Sequence, residues 1–379
     1  MANKKLKVAI VCDWLLGTGG AERVVYELHK LYPEAPIYTS QYDSNPKIWY
    51  GYNWFEGADI RTTKLQKLPK SLKKFMPVLR ALTFPRIDLS EYDLVISSSG
   101  AEAKSVHTQA KTLHICYCHS PTHYYWQRYE QYIKRPGFPH GTNWLAKIGL
   151  RLLVSPLRAW DRHAAKQPDI MIANSTHTQE AIKKYYRRES SVIFPPVDIE
   201  RFKLRGAAQD RHGFVVAGRQ APYKRIDLAV QACTKLKLPL VVIGNGPEHK
   251  QLEKLAGRNV TFLTSVSDED LPKHFSSSLA LIFPTNTEDF GITPIEAMAA
   301  GTPVIAYRKG GPQDYIQPNK TGLFFDKLTV SSLAQTLEHF NPNRYDPKEI
   351  SAFSENFSAA KFRERMTKLV EQSLKESGS

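Results

Sequence analysis

The segment KVAIVCDWLLGTGGAERVVYELHKL, residues 7–31, predicts the beginning of an α/β domain. Lys7–Trp14 is a short apolar run typical of a buried strand, and Ala21–Leu31 has the apolar spacing of an amphipathic helix. Gly17-Thr18-Gly19-Gly20 lies between them, where glycines let a ligand approach the backbone and a helix N-terminus attracts an anion. A tight turn without a ligand is the alternative, because the segment is neither a dinucleotide fingerprint nor a P-loop.

The alternation of apolar strands and amphipathic helices occurs twice along the chain. The strands predicted in the first half are Lys7–Trp14, Ala35–Ser40, Asp93–Ser99, Thr112–His119, Asp169–Ser175 and Ser191–Val197. Those predicted in the second half are Phe214–Arg219, Leu240–Gly244, Val260–Val266, Leu279–Thr285, Pro303–Tyr307 and Gly322–Phe325. Apolar strands separated by helices predict two Rossmann-like, doubly wound parallel sheets, each covered on both faces.

The boundary between the two domains is expected where Phe194-Pro195-Pro196-Val197-Asp198 leads into a polar stretch. We expect a first domain over 1–199, a second domain over 200–355 and a C-terminal helix over 356–379. Ligands of doubly wound sheets bind beyond the carboxyl ends of the strands, so a central cleft between the two sheets is the expected site. Functional residues are therefore sought in the loops that follow strands.

Composition narrows the class of protein. The chain has 379 residues, with 52 Lys and Arg against 37 Asp and Glu, and 23% of its residues are charged. This is the composition of a globular protein and excludes a disordered or fibrous chain. Four cysteines are too few for a disulfide scaffold, so we expect reduced thiols in a cytoplasmic protein. No run approaches the roughly 20 apolar residues of a transmembrane helix, and the N-terminal segment lacks signal-peptide features.

The net charge of +15 is concentrated in part between Arg61 and Arg86, where eight basic residues and no acid alternate with bulky apolar residues. This pattern is typical of a segment that docks on an anionic membrane surface. The predicted membrane and acceptor contacts are Lys64, Lys67, Lys70, Lys73, Lys74 and Arg80. A solvated helix at the domain edge is the alternative. Nucleic-acid binding is disfavoured because no nucleic-acid motif accompanies the charge.

Two cations follow the first strand of the second half, in Gly218-Arg219-Gln220-Ala221-Pro222-Tyr223-Lys224. Arg219 is predicted to end the strand, and Lys224 precedes a helix. A guanidinium and an ammonium at one strand end suit a diphosphate. Ordinary surface cations are the alternative, although cations are unfavourable at a helix N-terminus unless an anion is present.

The segment Pro284–Glu296 contains two acids, Glu288 on a predicted loop and Glu296 in the first turn of a predicted helix. Carboxylates placed there can accept hydrogen bonds from sugar and ribose hydroxyls. For Glu296 the alternative is a capping box, with Thr293 at the N-cap, Pro294 at the first helical position and Glu296 at the third.

Possible metal ligands occur at two places. Cys116 and Cys118 share one face of a predicted strand, but without a distant second pair they are interpreted as core residues. Asp268-Glu269-Asp270 is interpreted as the acidic start of a helix after Ser267. His119 differs from these residues because it lies where its strand ends, so its imidazole can contact a phosphate or a hydroxyl.

Three motifs in order carry a family resemblance: Gly-Gly-Ala-Glu-Arg at 19–23, Gly-Arg-x4-Lys at 218–224 and Glu-Asp-Phe-Gly-x4-Glu at 288–296. Together they resemble the retaining glycosyltransferases of family 4, whose fold is GT-B. The stretches CDWLLGTGGAERV at 12–24, PPVDIERF at 195–202 and APYKRIDLAV at 221–230 are similar to bacterial mannosyltransferases of O-antigen and related polysaccharides.

The resemblance implies that the domain over 1–199, completed by the C-terminal helix over 356–379, binds the acceptor, and that the domain over 200–355 binds the nucleotide-sugar. It also implies a site. It assigns catalysis to His119, Glu288, Arg219 and Lys224. It assigns donor binding to Gly19, Gly20, Arg219, Lys224, Gly244, Val266, Glu288, Phe290, Gly291, Ile292, Thr293 and Glu296. In this assignment the two cations bind the diphosphate, Glu288 binds the sugar hydroxyls and Glu296 binds the ribose.

The resemblance also implies an activity: transfer of a hexose, with mannose from GDP-mannose favoured, onto a lipid-linked or oligosaccharide acceptor. The anomeric configuration of the transferred sugar is expected to be retained through same-face substitution, without a metal or another cofactor. A UDP-sugar donor, an epimerase or hydrolase, and a non-catalytic nucleotide-sugar sensor are the alternatives. The expected location is the cytoplasmic face of the plasma membrane, as a peripheral protein that does not bind nucleic acid.

Overall fold

A computed structural model describes residues 6–49, 54–68, 76–134, 143–203 and 210–377. The chain forms two compact units, Met1–Pro195 with Arg363–Ser379 and Pro196–Phe362. Each unit is built on one parallel sheet, which confirms the prediction of two doubly wound α/β sheets. Within the described residues, no helix combines the length and apolar character that crossing a bilayer requires.

The first unit contains a seven-stranded sheet in the order β3-β2-β1-β4-β5-β6-β7. Its strands are β1 Val8–Cys12, β2 Ile37–Thr39, β3 Ile60–Thr62, β4 Leu94–Ser99, β5 Leu113–Cys118, β6 Ile170–Ala173 and β7 Ser191–Val192. Its first helices are α1 Gly20–Leu31, α2 Met76–Thr83, α3 Tyr129–Lys134, α4 Asn143–Ala164 and α5 Thr176–Tyr186. Every residue of β1, β4 and β5 is buried, as expected for central strands covered on both faces.

The second unit contains a six-stranded sheet in the order β10-β9-β8-β11-β12-β13. Its strands are β8 Phe214–Ala217, β9 Leu240–Ile243, β10 Val260–Leu263, β11 Ala280–Phe283, β12 Val304–Tyr307 and β13 Gly322–Phe325. Its helices are α6 Ile199–Phe202, α7 Ile226–Leu236, α8 His249–Leu255, α9 Leu271–Ser276, α10 Ile292–Ala299, α11 Val330–Glu338 and α12 Pro347–Ser354. Apolar residues of α7 and α11 share one core cluster with residues of β8, β9 and β11.

The last helix, α13 Ala359–Ser377, belongs mainly to the first unit. Arg363 of this helix pairs with the carboxylate of Glu27 on α1, which is only 2% exposed and also accepts a hydrogen bond from Lys30 at 3.1 Å. Two cations therefore compensate a buried acid where α13 joins the unit.

One strand was not predicted. β3 has three residues at the edge of the sheet, too few to show a two-residue periodicity, and it pairs only with β2. The described residues between β2 and β3 contain no helix. Instead, Trp54 stacks on Tyr26 of α1 at 5.3 Å between ring centroids, and Phe55 packs edge-on against Trp49 at 5.5 Å. Aromatic contacts thus attach this connection to α1.

Asp13 joins the loops that follow β1 and β4. Its side chain is 7% exposed, and one carboxylate oxygen accepts hydrogen bonds from the amides of Gly100 at 2.7 Å and Ala101 at 3.0 Å. The other oxygen accepts one from the amide of Ala103 at 2.7 Å. A single buried carboxylate therefore satisfies three backbone donors that no helix or strand ladder satisfies.

Replacing Asp13 is predicted to destabilise the first unit. Asp13→Ala leaves three buried amides without an acceptor, which should cost about 3 kcal/mol or more in the free energy of unfolding. Urea unfolding followed by circular dichroism measures this loss. Asp88→Ala, at an exposed carboxylate of the same unit, should change stability by about 0.5 kcal/mol or less. Equal effects of the two substitutions would contradict the role assigned to Asp13.

Candidate functional site

Each sheet has one topological switch point, where neighbouring strands send their connections in opposite directions. These points lie between β1 and β4 in the first unit and between β8 and β11 in the second. The loops that leave such strands diverge and create the crevice in which α/β proteins bind ligands. The predicted site residues fall at both points and are described unit by unit.

The switch point of the first unit opens into a cavity of about 410 Å³. This volume is in the range of small-molecule sites. The lining includes aromatic Trp14 and Tyr124, together with Gly20, Glu22 and His119. The structure therefore brings together two residues predicted from separate motifs, Gly20 from the first glycine loop and His119 from the end of β5.

His119 directly follows β5 and is held from two sides. Its Nε2 lies 2.8 Å from the Oγ of Ser98 on β4, and its ring packs edge-on against Tyr117 at 5.3 Å between centroids. The main-chain amide of His119 also donates to the carbonyl of Ser99 at 2.9 Å. The imidazole is thus oriented before any ligand arrives, and its catalytic role remains a prediction.

Glu22 lines the same cavity and was not among the predicted site residues. The residue lies in the first turn of α1, and a Cβ at Gly19 would come within 2.5 Å of its Oε2, so the carboxylate folds over the helix N-terminus. Burial raises the pKa of Glu22 to about 7, and the nearby charge of Asp13 acts in the same direction. The sequence does show an acid in the first turn of the predicted helix. Acids are common in the first turn of helices, so this position alone does not indicate a site.

In the second unit, Lys224 and Glu288 meet across the switch point. Lys224 ends a short turn after β8, Glu288 lies in the loop after β11, and Nζ is 2.5 Å from Oε2. The side chains are 20% and 21% exposed. The two loops are also joined by a hydrogen bond from the amide of Asn286 to the carbonyl of Tyr223, at 3.1 Å. Two residues predicted to bind different parts of one donor are therefore direct neighbours.

Arg219 precedes Lys224 on the same loop, and it is not the last residue of its strand. β8 ends at Ala217, and Gly218 has a φ of +141°, which places Arg219 on the loop. Arg219 is exposed, and within the described residues its side chain has no hydrogen bond or ion pair. Its guanidinium is therefore available to an anion at the end of the sheet.

The predicted capping box is wrong. α10 begins at Ile292, with Gly291 at the N-cap and no side-chain cap, so Thr293 is the second helical residue. Gly291 has a φ of +93°, which turns the chain into the helix two residues earlier than predicted. Glu296 is consequently beyond the position at which a capping acid reaches back to the N-cap amide. Its proposed contact with ribose no longer competes with a capping role.

Residues that follow β12 hold the loop before α10 through hydrogen bonds. The Oη of Tyr315 donates to the carbonyl of Phe290 at 3.0 Å, and the amide of Gly311 donates to the carbonyl of Glu288 at 3.0 Å. A Cβ at Gly311 would come within 2.2 Å of the carbonyl oxygen of Phe290. Close backbone contact therefore holds Glu288 in place. Tyr315 was not predicted, and Gly311 was expected only as part of a strand-end turn that can admit a ligand.

The remaining predicted donor residues lie at neighbouring strand ends. Gly244 follows β9 with a φ of +114°, and a Cβ there would come within 2.3 Å of the carbonyl oxygen of Gly218. Val266 is half-buried, three residues beyond β10. Gly244 therefore lies next to the loop that carries Arg219, whereas the contacts that were predicted for Val266 remain a prediction.

Arg80 was predicted on the membrane-facing surface, and this prediction is wrong. Its side chain is 8% exposed, pairs with Glu102 at 2.6 Å and lies over the ring of Trp14 at 4.6 Å. An acid that follows β4, far away in sequence, draws this guanidinium inward. Lys64 and Lys67 are exposed, while Lys70, Lys73 and Lys74 lie outside the described residues.

The residues considered as metal ligands have other roles. Cys116 and Cys118 are fully buried in an apolar cluster that includes Met171 and Tyr186, which confirms their interpretation as core residues. Asp268 and Asp270 form a turn before α9, which begins later than predicted, at Leu271. Asp268 pairs with Arg201 at 2.7 Å.

Two family models match consecutive parts of the chain. Residues 18–201 match the model described as Glycosyltransferase Family 4, and residues 197–358 match the model described as Glycosyl transferases group 1. Together they extend over both units.

Relatives with assigned activities are similar to part of the chain. A GDP-mannose-dependent alpha-(1-6)-phosphatidylinositol monomannoside mannosyltransferase of Mycobacterium tuberculosis is 30% identical over 198 residues, which are 45% of this chain and 51% of that protein. A GDP-Man:Man(3)GlcNAc(2)-PP-Dol alpha-1,2-mannosyltransferase of Xenopus laevis is 30% identical over 45% of this chain and 41% of its own length. The match thus spans about half the length of the curated relatives.

Solved structures are similar over nearly the whole chain. Anabaena HepE in complex with UDP has a TM-score of 0.69 and 18% identity, covering 97% of this chain and 100% of its own. Sucrose-phosphate synthase from Thermosynechococcus elongatus has a TM-score of 0.71 and 17% identity, covering 98% and 100%. At this level of identity the likeness concerns the fold.

Two doubly wound parallel sheets, each with polar residues gathered at its switch point, define the GT-B class of fold. With both family models matched in sequence order, the chain belongs to glycosyltransferase family 4.

The raised pKa of Glu22 predicts a pH-dependent stability. Because its folded-state pKa of about 7 exceeds the ordinary value of 4.5, ionisation of Glu22 destabilises the fold as the pH rises from 4.5 to 7. Glu22→Gln removes this cost, so it should raise the melting temperature of the protein at pH 8 more than at pH 5. A difference from wild type that is equal at both pH values would contradict the prediction.

Proposed function

We propose that this protein is a glycosyltransferase that transfers a hexose from a nucleotide-sugar donor. The observation that carries the proposal is the meeting of Lys224 and Glu288 across the switch point of the second sheet, at 2.5 Å. Exposed Arg219 on the same loop adds a second cation for a diphosphate. Structural neighbours that were solved with UDP and with UDP-glucose support a donor of this chemical class.

Within this proposal, mannose is the favoured hexose and GDP-mannose the favoured donor. The names of two relatives at 30% identity, from Mycobacterium tuberculosis and Xenopus laevis, include GDP-mannose or GDP-Man. The acceptor proposed is a glycan or a lipid-linked sugar, since both relatives are named for lipid-linked acceptors. A UDP-sugar donor remains the competing specificity, since UDP complexes are found among the structural neighbours.

The proposed chemistry is substitution with retention on one face of the donor sugar. One carboxylate oxygen of Glu288 is bound to the ammonium of Lys224, and the other can accept hydrogen bonds from sugar hydroxyls. Lys224 and Arg219 would stabilise the charge that develops on the leaving diphosphate. The departing phosphate oxygen would then take the proton of the acceptor hydroxyl.

A donor panel tests this function. Thermal unfolding is measured with GDP-mannose, UDP-glucose and ADP-glucose, each without and then with an acceptor glycan. GDP-mannose should stabilise the protein by about 2.7 kcal/mol at a hundredfold excess over its Kd. Arg219→Ala should weaken donor binding roughly tenfold or more, because a charge-assisted contact is lost, whereas Lys235→Ala at an exposed cation of α7 should not.

Assays of donor turnover and sugar transfer, with the same donors and acceptor, separate the candidate functions. Rapid donor turnover without an acceptor would favour a hydrolase or epimerase, and donor binding without transfer under any condition would favour a sensor. Glu288→Gln should lower transfer strongly, with Glu269→Gln as the control at an exposed acid. A covalent sugar on Glu288 of the wild-type protein, detected by mass spectrometry, would refute same-face substitution.

We further propose that the first unit docks on an anionic membrane through the segment around α2. Lys64 and Lys67 are exposed, and α2 presents Val78 and Leu82, 40% and 53% exposed and one helical turn apart. Exposed cations and exposed apolar side chains of one segment can act together at a lipid surface. Burial of Arg80 removes it from the proposed contact.

Sedimentation with vesicles that contain anionic lipid tests the docking proposal. Reversing the charge of Lys70, Lys73 and Lys74 removes three attractive cations at about 1 kcal/mol each, so vesicle binding should fall by roughly a hundredfold. Leu82→Gln should weaken binding further, while reversing the charge of exposed Lys235, Lys237 and Lys254 in the second unit serves as the charge-matched control. Undiminished sedimentation of the triple variant would overturn the proposal.

A further inference from the structure

Gln220 is a fully buried polar residue between Arg219 and the turn that carries Lys224. Its exposure is 0%, although it is on a loop at the end of the sheet. A buried amide side chain is costly unless its donors and acceptor are used. The partners of Gln220 therefore indicate what it does.

The side chain of Gln220 joins the loop after β8 to the loop and helix after β9. Its Nε2 donates to the carbonyl of Gly244 at 2.7 Å, and its Oε1 lies 2.8 Å from the Nδ1 of His249 on α8. Because the carbonyl of Gly244 can only accept, the amide orientation is determined, and His249 must carry a proton on Nδ1.

The backbone of Gln220 makes two further bonds to the same region. Its amide donates to the carbonyl of Asn245 at 2.9 Å, and its carbonyl accepts from the amide of Glu248 at 3.1 Å. A Cβ at Gly246 would come within 2.4 Å of the carbonyl oxygen of Gln220, so only glycine allows this approach. Four hydrogen bonds and a required glycine thus converge on one residue.

His249 is itself held on its other side. Its ring packs edge-on against Phe262 of β10 at 5.5 Å between centroids, and its Nε2 lies 3.5 Å from Glu253 one turn along α8. The contacts of Gln220 therefore continue through His249 of α8 to Phe262 of β10. Movement of Gln220 would disturb the ends of three adjacent strands together.

We infer that Gln220 is a positioning residue that holds the loops after β8 and β9 so that Arg219 and Lys224 face one diphosphate. This inference rests on the proposed nucleotide-sugar donor. Gln220 itself contacts no ligand in the inference, because its side chain is fully buried and each of its polar atoms has a partner in the protein. Exposed Arg219 has no such partner within the described residues, so the direction of its side chain depends on the backbone that Gln220 holds.

The test measures Kd for GDP by isothermal titration calorimetry, or for UDP if the donor panel selects that base. Gln220→Met, which keeps the length of the side chain but removes its hydrogen bonds, should raise Kd about tenfold and raise the donor KM more than it lowers kcat. Gln220→Glu keeps the acceptor for His249 and should recover part of the affinity. Gln251→Met, at an exposed glutamine of α8, is the matched control and should match wild type.

A double-mutant cycle separates positioning from a general loss of stability. Because Gln220 is inferred to act through Arg219 as well as Lys224, Gln220→Met should raise Kd by a smaller factor in an Arg219→Ala background than in the wild-type protein. Equal effects of Gln220→Met with and without Arg219 would overturn the inference, as would an unchanged Kd in the single variant. If Gln220→Met does not fold, Gln220→Glu carries the same cycle.

The result also distinguishes the inference from the proposed function. A wild-type protein that binds neither nucleotide nor nucleotide-sugar contradicts the proposed function, and with it the premise of the inference. A wild-type protein that binds, with Gln220 variants that bind equally well, contradicts the inference alone.

Discussion

The site of the second unit depends on the ion pair between Lys224 and Glu288. β8 and β11 are neighbours whose connections diverge, so their loops leave a gap at the carboxyl ends of the strands. The pair spans this gap at 2.5 Å, with about four-fifths of each side chain removed from solvent. Opposite charges attract more strongly there than at an open surface. An arriving diphosphate would offer Lys224 a second anion and leave Glu288 freer to bind hydroxyls.

The diverging loops at the switch point are joined differently in the two units. In the first unit, the loops after β1 and β4 are joined beside the cavity by a buried carboxylate, Asp13, which binds three backbone amides. In the second unit, the loops after β8 and β11 are joined by two side chains of opposite charge. A carboxylate used by the backbone is unavailable to a ligand, whereas a partly exposed ion pair can exchange partners. This difference supports placing the proposed diphosphate contact in the second unit.

Much of the fold was predictable because its signals are local. Central strands of a covered parallel sheet are rich in apolar residues, so β1, β5 and the first half of β4 were evident from the sequence, although β4 ends in three buried serines. β3 was missed because three edge residues carry no such signal. The start of α10 was misplaced because the Thr293-Pro294 pair predicts a helix start, while the positive φ of Gly291 begins the helix earlier.

The amino-acid sequence by itself determined the alternation of strands and helices, the family, and the loops on which the candidate site residues lie. Those properties follow from residue type and spacing along a short segment. Only the tertiary structure decided which of these residues meet. Lys224 and Glu288 become neighbours because β8 and β11 pair, Arg80 turns inward because Glu102 is buried beside it, and Gln220 gains its role from a loop 24 residues away. Contacts between distant segments depend on strand order, which no local pattern encodes.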